Sequence, residues 1–186
     1  MGHHTFDADG ADKLERPERR YRFLSTEELL WALAPSSEDT VADLGSGTGF
    51  FTDDVAPHAS EVYAVDIQEA MQEYYEEKGI PENVELVTTG VEELPFEDGS
   101  LDAAFSTMTF HEFVSDDALA EVRRVLTPAG RLVIVDWTAT GTGENGPPLD
   151  ERYTADTAAD ALRDHGFGIE HQFSRPETFL LVATTE

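Results

Sequence analysis

Two acids and three glycines carry the densest chemical signal in this chain. In Asp43-Leu44-Gly45-Ser46-Gly47-Thr48-Gly49 an acid closes a short apolar run and glycines follow at alternate positions. Glycine adopts positive φ at little cost and lets a ligand approach the main chain, so this spacing makes a tight turn whose amides line a polar cradle. Asp66 lies 17 residues beyond Gly49, at the end of a second apolar run, Val62-Tyr63-Ala64-Val65. A carboxylate there can accept hydrogen bonds from both hydroxyls of a ribose. Gly90-Val91-Glu92, Ser106-Thr107-Met108 and Asp136-Trp137 each follow a later apolar run. His111-Glu112 comes shortly after one of them and acts as a base or substrate clamp, or else is a satisfied structural pair. Met108, Phe110 and Phe113 read as pocket wall or core.

The elements that must position these groups follow from pattern. Ser25 and Glu28 have capping-box spacing and open a helix through Leu29, Leu30 and Leu33, which Pro35 ends. Strands are expected at Thr40–Leu44, Glu61–Asp66, Val84–Val87 and Leu101–Phe105, and over Leu132-Val133-Ile134-Val135. Two more, near Ile169–Phe173 and Phe179–Thr184, flank Ser174-Arg175-Pro176-Glu177 as a hairpin. Helices are expected after the glycine turn to about Val55, over Ala70–Glu77, Asp117–Leu126 and Thr157–His165. Val91–Leu94 reads as one helical turn, and Thr127-Pro128-Ala129-Gly130 as a turn. Strands alternating with helices imply an α/β fold: a Rossmann-like, doubly wound, mostly parallel seven-stranded sheet with an antiparallel C-terminal hairpin and helices on both faces. A single domain over residues 1–186 accounts for the chain. Residues 26–186 form its core and 1–25 a segment or lid, loose over 1–12.

Composition limits what the domain can do. Asp and Glu number 39 against 12 Lys and Arg, a formal net charge of −27, and the acids are spread along the chain. Concentrated salt screens such self-repulsion, and the pattern resembles proteins of salt-accumulating halophiles, with a halophilic archaeon as the expected source. Nucleic acid is not expected as a partner, since its phosphates require a basic footprint. The one basic cluster, Arg16-Pro17-Glu18-Arg19-Arg20-Tyr21-Arg22, is short and interrupted. There are no cysteines, which excludes disulfides, thiolate metal sites and cysteine catalysis, and no metal is expected. No apolar run is long enough to span a membrane, and Met1–Phe6 lacks signal-peptide features, so a cytoplasmic protein is expected.

Taken in order, these motifs resemble those of class I S-adenosylmethionine-dependent methyltransferases. Asp43–Gly49 looks like the family's first motif and Val65-Asp66 like its ribose-binding acid. Glu93–Asp102 resembles the segment before the fourth strand, and Glu121–Leu132 the helix and turn before the fifth. The match covers residues 27–137, and the nearest subgroup looks like the small-molecule enzymes that include quinone-biosynthesis methyltransferases. The resemblance implies that the Gly45 and Gly47 backbone, with Ser46 and Gly49 in the same turn, holds the methionine part, and that Asp43 assists at its ammonium. Asp66 would take the ribose hydroxyls, Ile67 and Met71 would pack near adenine, and Val91 would meet its edge. Ser106 or Thr107 would close the methionine end. Where the family often has an acid for the adenine amino group this chain has Gly90; either Glu92 substitutes from a neighbouring position or the amino group meets water. Tyr21 and Arg22 fold over the cofactor as a lid or else solvate an N-terminal helix, while Met108, His111, Trp137 and Tyr153 would edge the substrate pocket.

The implied function is methyl transfer from S-adenosylmethionine to a small-molecule acceptor. A cofactor-binding module without catalysis is the alternative. An NAD-dependent oxidoreductase is the weaker rival, because its fingerprint needs a third glycine where Phe50 stands. Tyr74–Lys78 matches a reductase spacing but follows the wrong strand.

Overall fold

In the computed structural model, residues 8–186 are described; the start of the expected loose stretch, residues 1–7, lies outside them. The seven strands are β1 (Thr40–Leu44), β2 (Glu61–Asp66), β3 (Val84–Thr88), β4 (Leu101–Thr107), β5 (Leu126–Trp137), β6 (Phe167–Ser174) and β7 (Thr178–Thr185). They form one sheet in the order β3-β2-β1-β4-β5-β7-β6. The pairs from β3 to β5 are parallel, and β7 lies antiparallel between β5 and β6. Strand order therefore reverses between β1 and β4, the switch point where such sheets open a crevice.

Alternation along the central strands feeds two apolar layers. On β5, Val133 and Val135 join Leu29, Leu33, Phe51 and Val55 on one face. Leu132 and Ile134 join Leu119, Val122 and Leu162 on the other. Each such buried side chain stabilises the fold by roughly 1.5–3 kcal/mol relative to exposure. The helices are α1 (Pro17–Arg20), α2 (Thr26–Leu33), α3 (Phe50–Val55), α4 (Glu69–Lys78), α5 (Phe110–Phe113), α6 (Asp116–Val125) and α7 (Ala155–Asp164).

Three local expectations are corrected. Val91–Leu94 forms turns rather than a helical turn. Thr127–Gly130 belongs to β5, absorbed as an irregularity between the Leu101–Leu126 and Ala103–Arg131 pairs, with Ala129 at φ 62°. Only half of the capping box at α2 forms: Ser25 Oγ accepts from Glu28 N, while the Glu28 carboxylate pairs with Arg175 at 2.7 Å.

The N-terminal segment wraps the carboxyl edge of the sheet as a short 3₁₀ helix, Ala8–Lys13, followed by α1. Polar ties fix it there. Tyr74 donates to Asp12, Thr48 donates to Glu15, and Lys78 bridges Glu15 (3.2 Å) and Asp53 (2.8 Å). The Tyr74–Lys78 spacing thus serves this attachment.

Candidate active site

The glycine turn is held from below. Gly45 N and Ser46 N both donate to the carbonyl of Val65 at the end of β2, at 2.8 and 2.9 Å. Gly47 N donates to Asp66 Oδ2 and Gln68 N to Asp66 Oδ1, each at 2.8 Å. The turn and the acid therefore orient one another. Burial raises the pKa of Asp66, against the lowering effect of those two backbone bonds.

Two of the three glycines answer to protein neighbours. At Gly49, φ is 78° and a Cβ would run into the Tyr75 ring. At Gly45, φ is 80° and a Cβ would overlap the Thr109 side chain. Met108, a non-glycine residue at φ 62°, holds a strained backbone at the same edge.

Above the turn opens a cavity of about 410 Å³. Gly45, Ser46, Gly47, Asp66, Ile67 and Met71 line it. Gly90, Val91, Glu92 and Thr107 complete the far wall. Gly90 makes room for the Glu92 carboxylate, which folds back to within 2.5 Å of where a Cβ would stand. Three of the expected ligand residues stand back from the cavity. Gly49 packs on Tyr75, Ser106 is fully buried with no partner for its hydroxyl among the described residues, and Asp43 lies beneath the turn.

Asp43 is 1% exposed; its Oδ2 accepts from Thr52 Oγ1 at 2.7 Å and its Oδ1 has no partner among the described residues. Burial pushes its pKa up to about 7, with the Thr52 bond opposing, Asp66 adding and Arg20 opposing. Burial likewise pushes Arg20 down to about 10, against the raising effects of Asp43 and Glu15. Arg20 is the one Lys or Arg among the described residues lining this cavity.

A second cavity of about 360 Å³ adjoins the first, and Leu14, Arg20, Met108 and Glu112 wall both. Trp137 and His111 line it, with the Phe23 ring set edge-on to Trp137 at 4.8 Å. The His111 side chain is 6% exposed, and its Nδ1 lies 2.9 Å from Asp136 Oδ2. Asp136 also accepts from the backbone N of His111 and of Trp137, both at 2.7 Å, so one buried carboxylate joins the start of α5 to the end of β5. Burial opposes a charge on His111, but the hydrogen bond and charge of Asp136, with Glu112 and Glu151, raise its pKa above 6.5. With Nδ1 committed to Asp136, Nε2, 3.8 Å from Glu112 Oε1, is the nitrogen left for exchange.

Tyr21 and Tyr153 line neither cavity. Tyr21 donates to Asp54 and packs on Phe50 at 5.1 Å, anchoring α1 to α3. Tyr153 bridges to Thr138 and sets its ring on Phe110 at 5.9 Å, fixing the loop after β5. The sequence reading missed Leu14 and Arg20, and also Lys13 and Arg19 of the second cavity. The signal was present: Lys13, Arg16, Arg19, Arg20 and Arg22 are five of only 12 basic residues in the chain.

Comparison with known proteins gives the chain its family. Residues 42–134 match the family model described as a methyltransferase domain. An uncharacterised methyltransferase-like protein of Schizosaccharomyces pombe is 32% identical over 88% of this chain and 67% of its own length. The ubiquinone/menaquinone biosynthesis C-methyltransferase of Brucella canis is 35% identical over 65% of this chain and 47% of its own length. The chain thus spans about two thirds of the first relative and under half of the second. The crystal structure of a SAM-dependent methyltransferase from Aquifex aeolicus superimposes with a TM-score of 0.86 at 30% identity, covering 98% of this chain and 100% of that one. The fold, the glycine turn with its paired acid and these relationships converge: the chain belongs to the methyltransferase-domain family, the class I S-adenosylmethionine-dependent methyltransferases.

Proposed function

We propose that this protein methylates a small molecule, holding S-adenosylmethionine in the first cavity and the acceptor in the second. The single observation that carries this reading is that the two cavities share walls at Leu14, Arg20, Met108 and Glu112, so that occupants of each would meet. The residues present fit the cofactor. Arg20 offers its carboxylate a cation, the acids around it suit its ammonium, and Asp66 keeps lone pairs for ribose hydroxyls. The Ser46 hydroxyl, buried and without a partner among the described residues, adds a free polar group at the turn. Glu92, folded over Gly90, would meet the adenine amino group.

When bound, the cofactor supplies an activated methyl group and leaves as S-adenosylhomocysteine. The protein's part is alignment and the exclusion of water. The N-terminal segment roofs the junction through Leu14, and Met108 floors it. Where the acceptor must lose a proton, His111 takes it at Nε2 while Asp136 steadies the charge formed on the ring. The surface charge of −27 suits work in concentrated salt, in the cytoplasm of a halophile. Among the described residues no helix is long and apolar enough to cross a membrane.

Calorimetric titration with S-adenosylmethionine, S-adenosylhomocysteine and NADH in molar potassium chloride tests the reading. Micromolar binding of the two adenosyl compounds, abolished by Asp66→Ala, is the expected result. NADH binding without response to either would sink it.

A further inference from the structure

The second cavity concentrates positive charge in a protein that otherwise has almost none to spare. Outside the N-terminal segment every Lys and Arg has a partner. Lys78, Arg124, Arg131, Arg163 and Arg175 form ion pairs. Arg123 and Arg152 donate to main-chain carbonyls. Lys13, Arg19 and Arg20, which line the cavity, have no ion pair within 4.0 Å among the described residues, in a chain with 39 carboxylates to choose from. Arg20 lies over the Phe51 ring at 4.9 Å, and its Nε is buried and unpartnered among the described residues.

Among the described residues lining the cavity, Glu112 is the one acid against these three cations. Most of the remaining lining is apolar, with Phe23, Phe51, Met108 and Trp137 among it. Lys13 and Arg19 are exposed and Arg20 is half-buried. Three cations without a carboxylate partner among the described residues, gathered at one largely apolar cavity, have the composition of a site completed by an anion.

We propose that the acceptor is a flat, apolar molecule carrying an anionic group, its ring seated against the wall formed by Phe23, Trp137 and Met108 and its anion held by Lys13, Arg19 and Arg20. This rests on the methyltransferase reading of the site and adds the chemical class of the acceptor to it. Arg20 reaches both cavities, so Lys13 and Arg19 are the residues that separate acceptor recognition from cofactor binding.

The test uses 2-naphthoate and 2-naphthamide as probes, matched in shape and differing in charge. Each is titrated calorimetrically into the protein saturated with S-adenosylhomocysteine, at the lowest salt in which the protein stays folded. Naphthoate is expected to bind about tenfold or more tighter than the amide, a difference of about 1.4 kcal/mol. In Lys13→Gln/Arg19→Gln, with Arg20 still in place, that preference falls several-fold while S-adenosylhomocysteine affinity holds. Arg16→Gln/Arg22→Gln, which removes two cations from the same segment outside the cavity lining, keeps it.

Equal binding of acid and amide, binding of neither, or a preference undiminished in the first variant overturns the proposal. Loss of the preference in the second variant does so too, by assigning it to the general field of the segment. Failure of S-adenosylhomocysteine itself to bind would instead overturn the methyltransferase reading, so the two failures are told apart.

Discussion

Asp43 should make the ligand-free protein lose stability as the pH rises, and replacing it with asparagine should remove that loss. Its carboxyl titrates near 7 when folded against an ordinary 3.8, because burial disfavours the charge more than the Thr52 hydroxyl and Arg20 restore it. A raised carboxyl pKa means that the folded state binds the proton more tightly than the unfolded one. Stability therefore falls from about pH 4 and levels off once the pH passes the folded value. At pH 5 the folded carboxyl is protonated and the unfolded one largely ionised. Between pH 5 and 7 the penalty grows by about two pH units at ~1.36 kcal/mol each, or roughly 2–3 kcal/mol.

In Asp43→Asn the new amide oxygen would still accept from Thr52, but its nitrogen would sit where Oδ1 now has no partner, a cost of about 1–3 kcal/mol at every pH. That constant offset cancels when two pH values are compared. Urea unfolding of the wild type and Asp43→Asn at pH 5 and pH 8, at fixed salt, should show the difference in unfolding free energy shifting by roughly 2–3 kcal/mol in favour of the variant. Parallel pH dependences for the two proteins would refute the account of a buried, charge-poor carboxyl beneath the turn.

Gly49→Ala should cost at least about 2 kcal/mol, since the residue needs φ 78° and its Cβ would enter the Tyr75 ring; a loss below about 0.5 kcal/mol in urea unfolding would contradict this. Gly90→Ala should leave stability nearly unchanged, because its Cβ meets only the movable end of Glu92. It should still weaken S-adenosylhomocysteine binding several-fold by displacing that carboxylate, and unaltered affinity by calorimetry would argue against Glu92 as the adenine contact. His111 should titrate above 6.5 by NMR and shift downward in Asp136→Asn, since the Asp136 carboxylate holds the imidazolium. Its contribution to stability is complete below about pH 6.5 and is lost as the pH rises through the folded value; an unchanged midpoint in the variant would break the link.

The parts of the site legible in the sequence are those built from contiguous residues. Asp43–Gly49 and Asp66 announce a strand end, a turn and an acid because each depends on local backbone geometry. The segments around Glu93 and Glu121 match a family pattern, and their meeting has a physical reason. Arg124 donates to the carbonyls of Leu94 and Phe96 and pairs with Glu121 and Asp98, tying the stretch after β3 to α6. Leu14 was not legible and Arg20 showed only as one of a basic cluster, since nothing periodic in a short arginine-rich segment says which part of a sheet edge it will cover. Tyr21 and Tyr153 mislead for the converse reason: an amphipathic ring suits a pocket rim, but here it serves equally well as an anchor. The bulged start of β5 was hidden by Pro128 and Gly130, which signal a turn wherever tertiary pairing does not override them.

The outer walls of the second cavity come from stretches on either side of the family-matched segment, Lys13–Phe23 before it and Trp137–Pro147 after it. The cradle of Gly45, Gly47 and Asp66 lies wholly inside that segment. Apart from Leu14 and Arg20, which wall both cavities, these demands fall in separable passages of one chain. On the proposed reading, substitutions drifting through the rest of the flanks retune which acceptor enters while the middle goes on holding the methyl donor. A library confined to residues 13–23 and 137–147, with Leu14 and Arg20 kept fixed, would search acceptor space and spare the donor cradle.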